Sequence, residues 1–209
     1  MASIRRRTFM LLLAALPLSR VWAMSGFLYR PGLRAIQGSV KINGSPATEG
    51  MPVSWGDTVE TGVKSSAVFV LGKDAFLLRE NSRVQLGLEA ASRFIRLQTG
   101  KLLSVFGPGE KTLETQAVTL GIRGTGCYLE AEGAGTYVCL CYGHAILTPK
   151  AAPEQMIEYK TMHHDKPYWV EGAQVRPGGV RNHTDAELTM LEALLGRKPP
   201  FSSSDQYRY

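Results

Sequence analysis

The chain has no Gly-x-Ser-x-Gly elbow, no His-Glu-x-x-His, no Gly-rich phosphate cradle ending in Lys-Ser or Lys-Thr, and no Cys-x-x-Cys. Those absences remove the common serine-hydrolase, zinc-protease, nucleotide-binding and dithiol-redox chemistries. The sequence is therefore not expected to be an enzyme. It also lacks a basic stripe. Of the net charge of +6, four positive charges lie on Arg5, Arg6, Arg7 and Arg20. The rest is close to neutral, with Lys and Arg scattered among acids, which argues against nucleic acid as a partner. The apolar run at residues 9–18 is shorter than the ~20 residues that cross a bilayer.

What is present at the start is an address. Arg5-Arg6-Arg7, the apolar run and the residues leading to Ala23 have the layout of an export signal, with cleavage expected between Ala23 and Met24. Arg6-Arg7-Thr8-Phe9-Met10 also fits the twin-arginine pattern, whereas Leu11-Leu12-Leu13 suits the Sec route. Either route gives a periplasmic or otherwise exported protein with no membrane span after cleavage. Roughly 186 residues would remain, enough for one domain with a sizeable core.

From 34 to 148 the sequence is a series of short apolar segments punctuated by turn residues, which predicts an all-β domain, an antiparallel sandwich or a short β-roll. Gly38-Ser39-Val40-Lys41-Ile42 alternates before Asn43-Gly44, a hairpin signal, with the returning strand expected at 47–53. Ala67-Val68-Phe69-Val70-Leu71 has no polar interruption and should be buried on both faces. Val84, Leu86 and Leu88 alternate with polar or small residues like a half-exposed strand. Five further strands are expected at 94–97, 102–106, 112–120, 127–131 and 136–142.

Past 148 the composition shifts to Pro, Lys, Glu and His, and 149–200 is expected to be an appendage on the β-domain. It contains one helix, about 185–195. Thr184 and Glu187 form a capping box, Leu188, Leu191, Leu194 and Leu195 line one face, and Gly196 closes it. A helix of about 11 residues is marginal alone, so its apolar face must dock. Residues 201–209 are expected to be a polar, flexible tail.

The stretch 38–125 resembles the iron-dicitrate sensor (FecR-type) family. Gly38 and Val40, then Gly56-Asp57-Thr58-Val59-Glu60-Thr61-Gly62, then Ser66-Ala67-Val68 match its pattern. Asn81-Ser82, the strand 95–97 with Gly100-Lys101-Leu102, and Arg123-Gly124-Thr125 continue the match. The resemblance implies a periplasmic domain that relays the state of an outer-membrane iron transporter to a sigma factor. This chain resembles a short exported form, without the cytoplasmic and transmembrane parts, so direct contact with a sigma factor is not expected. An envelope protein or a small ligand is the expected partner.

Three cysteines, Cys127, Cys139 and Cys141, carry the remaining chemistry. If Gly133-Ala134-Gly135 were a three-residue loop, Glu132 would oppose Thr136 and Cys127 would oppose Cys141, within bridging range, and all three thiols would share a face. Cys127 to Cys141 is then the favoured disulfide, and a two-residue loop would break it. An exported compartment favours disulfides. Cys139 and Cys141 with His144, and with His163 and His164 from the appendage, could instead hold a zinc or iron ion. Buried, inert thiols are a third reading.

His163-His164-Asp165 also reads as a solvated loop, and His183 as part of the capped lead-in to the helix. Cys127 as a hydrolase nucleophile, after the glycines of Arg123-Gly124-Thr125-Gly126, is a weak reading, since a bulge explains the same glycines. Three functions stand open: a FecR-like sensing or binding module linked to iron or envelope signalling, a metal-binding or redox-active protein, and an envelope scaffold that binds glycan or protein through Trp55, Tyr142, Tyr168 and Trp169.

Overall fold

The computed structural model describes residues 31–89 and 92–203. The export signal and the end of the tail lie outside the described residues. Among them the chain forms fourteen strands: β1 (Gly32–Gln37), β2 (Val40–Ile42), β3 (Ser45–Pro46), β4 (Thr58–Thr61), β5 (Ser66–Leu71), β6 (Asp74–Leu78), β7 (Arg83–Glu89), β8 (Ser92–Val105), β9 (Glu110–Glu114), β10 (Val118–Glu132), β11 (Gly135–Pro149), β12 (Ile157–Thr161), β13 (Tyr168–Glu171) and β14 (Gln174–Pro177). A helix, α1 (Asp185–Leu194), and a 3-10 turn (Pro200–Ser203) follow.

All strands belong to one hydrogen-bonded sheet, whose longest path runs β14-β13-β11-β10-β9-β8-β7-β4-β2-β3. The pairs are antiparallel except β8 with β9. Because β5 and β6 branch off and join the path through β8, the sheet curls round a shared core. That makes it a roll and not a sandwich of two separate sheets.

The turn at residues 56–62, Ser82 and Gly100 are joints of this roll. Asp57 accepts hydrogen bonds from the Ser54 amide and the Asn43 side chain, and Asn43 in turn accepts from the Thr58 amide, locking the β2–β3 hairpin to β4. Val59 is fully buried. The Thr61 hydroxyl accepts from the Ser82 amide and donates to the Arg79 carbonyl. Gly100, at φ +87°, leaves no room for a side chain, since a Cβ there would lie 2.6 Å from Ser82 Cα. Apart from Val59, which packs in the core, each of these residues has a backbone role, which is why the pattern speaks to scaffold.

Three long strands carry the architecture, and the sequence signals had divided them. The expected segments 94–97 and 102–106 are one strand, β8. The segment 127–131 is the second half of β10, and 136–142 the first half of β11. The breaks are bends: the β10–β11 register shifts on either side of Gly126, next to Gly124 at φ +56°, and Gly143 on β11 has φ +99°. The segment 112–120 divides the other way, into β9 and the start of β10, with a turn held by the Thr115 hydroxyl. The strand expected at 47–53 does not form. After the Asn43-Gly44 turn the return is only β3, and 47–57 is irregular chain held by the Asp57 bonds.

The sheet buries apolar residues on both faces. The inner core includes Phe69, Phe76, Leu78, Leu97, Leu102, Leu129 and Leu140. A second cluster lies on the opposite face of β5, β6, β8, β10 and β11, and α1 covers it with Leu188 and Leu191, both fully buried. Thr184 caps the helix, its hydroxyl accepting from the Glu187 amide while Glu187 accepts from the Thr184 amide. Arg79 on the roll pairs with Glu187 at 2.6 Å. At the far end Tyr142 donates to Glu192, which Arg197 also holds at 2.5 Å. Leu71 and Leu78 thus face inward while Leu77 and Val70 face the helix, the two-sided burial expected for 67–71.

Candidate functional site

The β10–β11 hairpin decides where the thiols point. Its loop is two residues, Gly133-Ala134, with Gly133 at φ +56°. Glu132 therefore opposes Gly135, one residue off the register expected for a three-residue loop. Cys127 opposes Leu140 and packs in the inner core, whereas Cys139 opposes Tyr128 and lies with Cys141 in the cluster beneath α1. A one-residue slip turns every side chain to the other face of the strand. The Cys127–Cys141 disulfide is thus corrected by register, and all three cysteines are free thiols. Cys127 belongs to neither cluster of thiols, imidazoles and carboxylates found among the described residues, and burial pushes its thiol up, so it does not fit the hydrolase reading either.

On the helix-covered face, Cys139 and Cys141 meet two histidines. The Cys139 sulfur is 3.4 Å from His164 Nδ1, and His164 Nδ1 is 3.1 Å from His183 Nε2. One donor atom from each of Cys139, Cys141, His164 and His183 lies within 4.8 Å of the others. Both cysteines are fully buried and His183 is 7% exposed.

Three segments bring these groups together. β11 supplies the thiols two residues apart, hence on one face. The loop after β12 supplies His164, whose amide donates to the Cys141 carbonyl and whose φ is +52°. Asp165 closes that loop by accepting from the Met162 amide, and the Thr161 hydroxyl ties it to the Leu140 carbonyl. The lead-in to α1 supplies His183, which stacks on Tyr128 at 4.5 Å between ring centres. Beside it, buried Glu130 accepts from Tyr128, Arg181 and Asn182, fixing the segment that carries His183.

The other residues of the expected metal set fall elsewhere. His144 lies beyond the Gly143 bend, 3.3 Å from Glu158 on β12, away from the thiols. His163 bonds Asp185 at 2.9 Å and stacks near Phe201. It groups with His164 and Asp185 but not with the sulfurs. His183, read from sequence as part of a helix cap, replaces His144. Its neighbour Thr184 is indeed the cap, and that role masked it.

Electrostatics concentrate on Cys139. A hydrogen bond with Cys141, and after it those with His164 and His183, outweigh burial and hold its thiol at about 4, while burial pushes Cys141 up. Cys139 is thus the more acidic thiol of the pair. Burial lowers His164, but its bonds to Cys139 and Asp185 raise it overall. Asp185, raised by burial, is lowered further by His163 and His164.

Cys139, His164 and Asp185 stand in the order nucleophile, base, orienting carboxylate, with Asp185 Oδ1 3.0 Å from His164 Nε2. The arrangement is closed, however. Cys139 is fully buried in the cluster that α1 covers, and the His164 nitrogen facing it also faces His183. The aromatic residues form no common platform. Tyr142 is buried under the helix, Tyr168 packs on Tyr159, Arg93 lies over Trp55, and Trp169 lies beside Arg181.

No family model and no curated protein matches this chain. Among solved structures, two crystal structures of a candidate anti-sigma factor from Parabacteroides distasonis ATCC 8503 share the fold. The TM-score is 0.51 at 11% identity in each, over 65% of this chain and 64% of that one. The chain thus spans less than two thirds of that protein's length. This likeness concerns the fold. No helix among the described residues is long and apolar enough to cross a membrane.

Proposed function

We propose that this protein is an exported, FecR-like sensing and binding module that acts by engaging an envelope protein rather than by catalysis. The observation that carries the reading is the roll itself. The Gly56 to Gly62 turn, Ser82 and Gly100 form joints between its strands, and the fold is shared with a protein described as a candidate anti-sigma factor. The burial of Cys139 and Cys141 supports a non-catalytic role.

Three experiments test the reading. Fractionation of the source bacterium should place the chain outside the cytoplasm. Changing Arg6→Lys with Arg7→Lys should abolish export if the twin-arginine route is used, and leave it intact if the Sec route is. Transcript profiling of a deletion strain against its complemented parent should then show a confined set of envelope or iron-uptake genes changing together. An unchanged transcriptome, or cytoplasmic residence, contradicts the proposal.

A further inference from the structure

We infer that Cys139, Cys141, His164 and His183 form a tetrahedral site for one divalent metal ion of the zinc class, which fastens the C-terminal segment to the roll. This goes beyond the regulatory reading and does not depend on it.

The argument starts with the outer nitrogens. Asp185 Oδ1 stands 3.0 Å from His164 Nε2, and the Arg181 carbonyl oxygen 2.6 Å from His183 Nδ1. A carboxylate and a carbonyl only accept, so each of those nitrogens carries a proton, and in the neutral imidazole that metal binding requires the other nitrogen is bare. The inner nitrogens, His164 Nδ1 and His183 Nε2, are then both lone pairs, and they face each other at 3.1 Å. Two lone pairs at that distance repel unless a cation joins them. Holding the non-ligating nitrogen with a carboxylate or a backbone carbonyl is how proteins orient metal-binding histidines.

The donor set and spacing agree. Bond lengths of about 2.0 Å to nitrogen and 2.3 Å to sulfur give tetrahedron edges of roughly 3.3 to 3.8 Å. The two edges at His164 Nδ1, 3.4 Å to Cys139 and 3.1 Å to His183, lie within a few tenths of that, and the other edges, all within 4.8 Å, draw in as the ion binds. Two thiolates also balance a divalent ion, which removes the cost of a net charge in a buried place. Binding to the thiol form releases the corresponding protons, as metal capture by cysteines requires. Four protein ligands fill the coordination sphere, the pattern of a structural and not a catalytic site. Two ligands come from β11, one from the loop after β12 and one from the lead-in to α1, so the ion would cross-link the roll to the segment covering its second apolar cluster.

A proton is the competing occupant, making an imidazolium beside the Cys139 thiolate, and the test separates the two. The full chain is purified, its zinc and iron are counted, and the metal-stripped protein is titrated with cobalt(II). We expect one ion per chain, zinc retained over iron, and a cobalt spectrum with strong tetrahedral bands and a thiolate-to-cobalt charge-transfer band. His183→Ala and Cys139→Ser should weaken binding at least 100-fold, while Cys127→Ser and His144→Ala leave it unchanged. Should His183→Ala fail to fold, the wild-type cobalt spectrum still decides, since it reads the ligands directly. Folded wild-type chain that takes up no metal, a cobalt spectrum without thiolate character, or binding lost in His144→Ala and kept in His183→Ala would overturn the inference.

Discussion

Cys127 and Cys139 lie on neighbouring strands of one hairpin, both fully buried, yet their chemistry is opposite. Cys127 points into the inner core beside Leu102, Leu129 and Leu140, and behaves as a small apolar residue. Cys139 points beneath α1, next to two histidines, and its thiol is held down to about 4. Burial does not separate them. Register does, because one residue in the Gly133-Ala134 loop decides which face each thiol occupies. The inner face builds the scaffold, and the outer face, where strand, loop and helix lead-in converge, holds the cluster of two thiols and two imidazoles among the described residues that could bind an ion.

The largest expected effect lies where α1 seals the outer face. Leu191→Ala should destabilise the protein by about 2 to 5 kcal/mol, read from a denaturant midpoint, because the residue is fully buried against the second cluster. A shift below about 0.5 kcal/mol would mean that the helix is not a structural cover. Next in size is the metal. Zinc present at a hundred times its dissociation constant should add about 2.7 kcal/mol to wild-type stability, and the amides of α1 and of residues 162–166 should gain most protection from hydrogen exchange. A gain spread evenly over the roll would argue against a fastening role.

Much of the roll was legible in the sequence. Alternating or wholly apolar segments, Asn43-Gly44 and the Thr184/Glu187 capping box each state a local conformation, and each is found. The continuity of β8, β10 and β11 was not legible, since glycines that bend a long strand look the same as glycines that end a short one. The candidate site was half legible. Cys139, Cys141 and His164 follow from spacing and residue type, but His183, 42 residues after Cys141 and 19 after His164, is placed by the docking of α1. Local patterns do not record such a docking angle. The helix-capping signal at Asn182-His183-Thr184-Asp185 was correct for Thr184 and silent about the imidazole next to it.

Two smaller effects sharpen the contrast between the faces. Asp185→Asn keeps the helix but weakens the acceptor for His164, and should cost roughly 10 to 100-fold in zinc affinity, measured by competition with a chromophoric chelator. An unchanged affinity would show that the carboxylate serves only the helix terminus. Cys127→Ser introduces a hydroxyl among apolar side chains and should cost about 1 to 3 kcal/mol of stability while leaving zinc affinity untouched. A fall in zinc affinity in that variant would mean that the two faces are coupled.

The central claim is that register places two thiolates and two imidazoles round a single ion on the outer face. X-ray absorption at the zinc edge of the full chain tests it most directly. The account predicts two sulfur scatterers at about 2.3 Å and two nitrogen scatterers at about 2.0 Å, with no fifth ligand. A first shell of nitrogen and oxygen alone, or one containing three sulfurs, would contradict it.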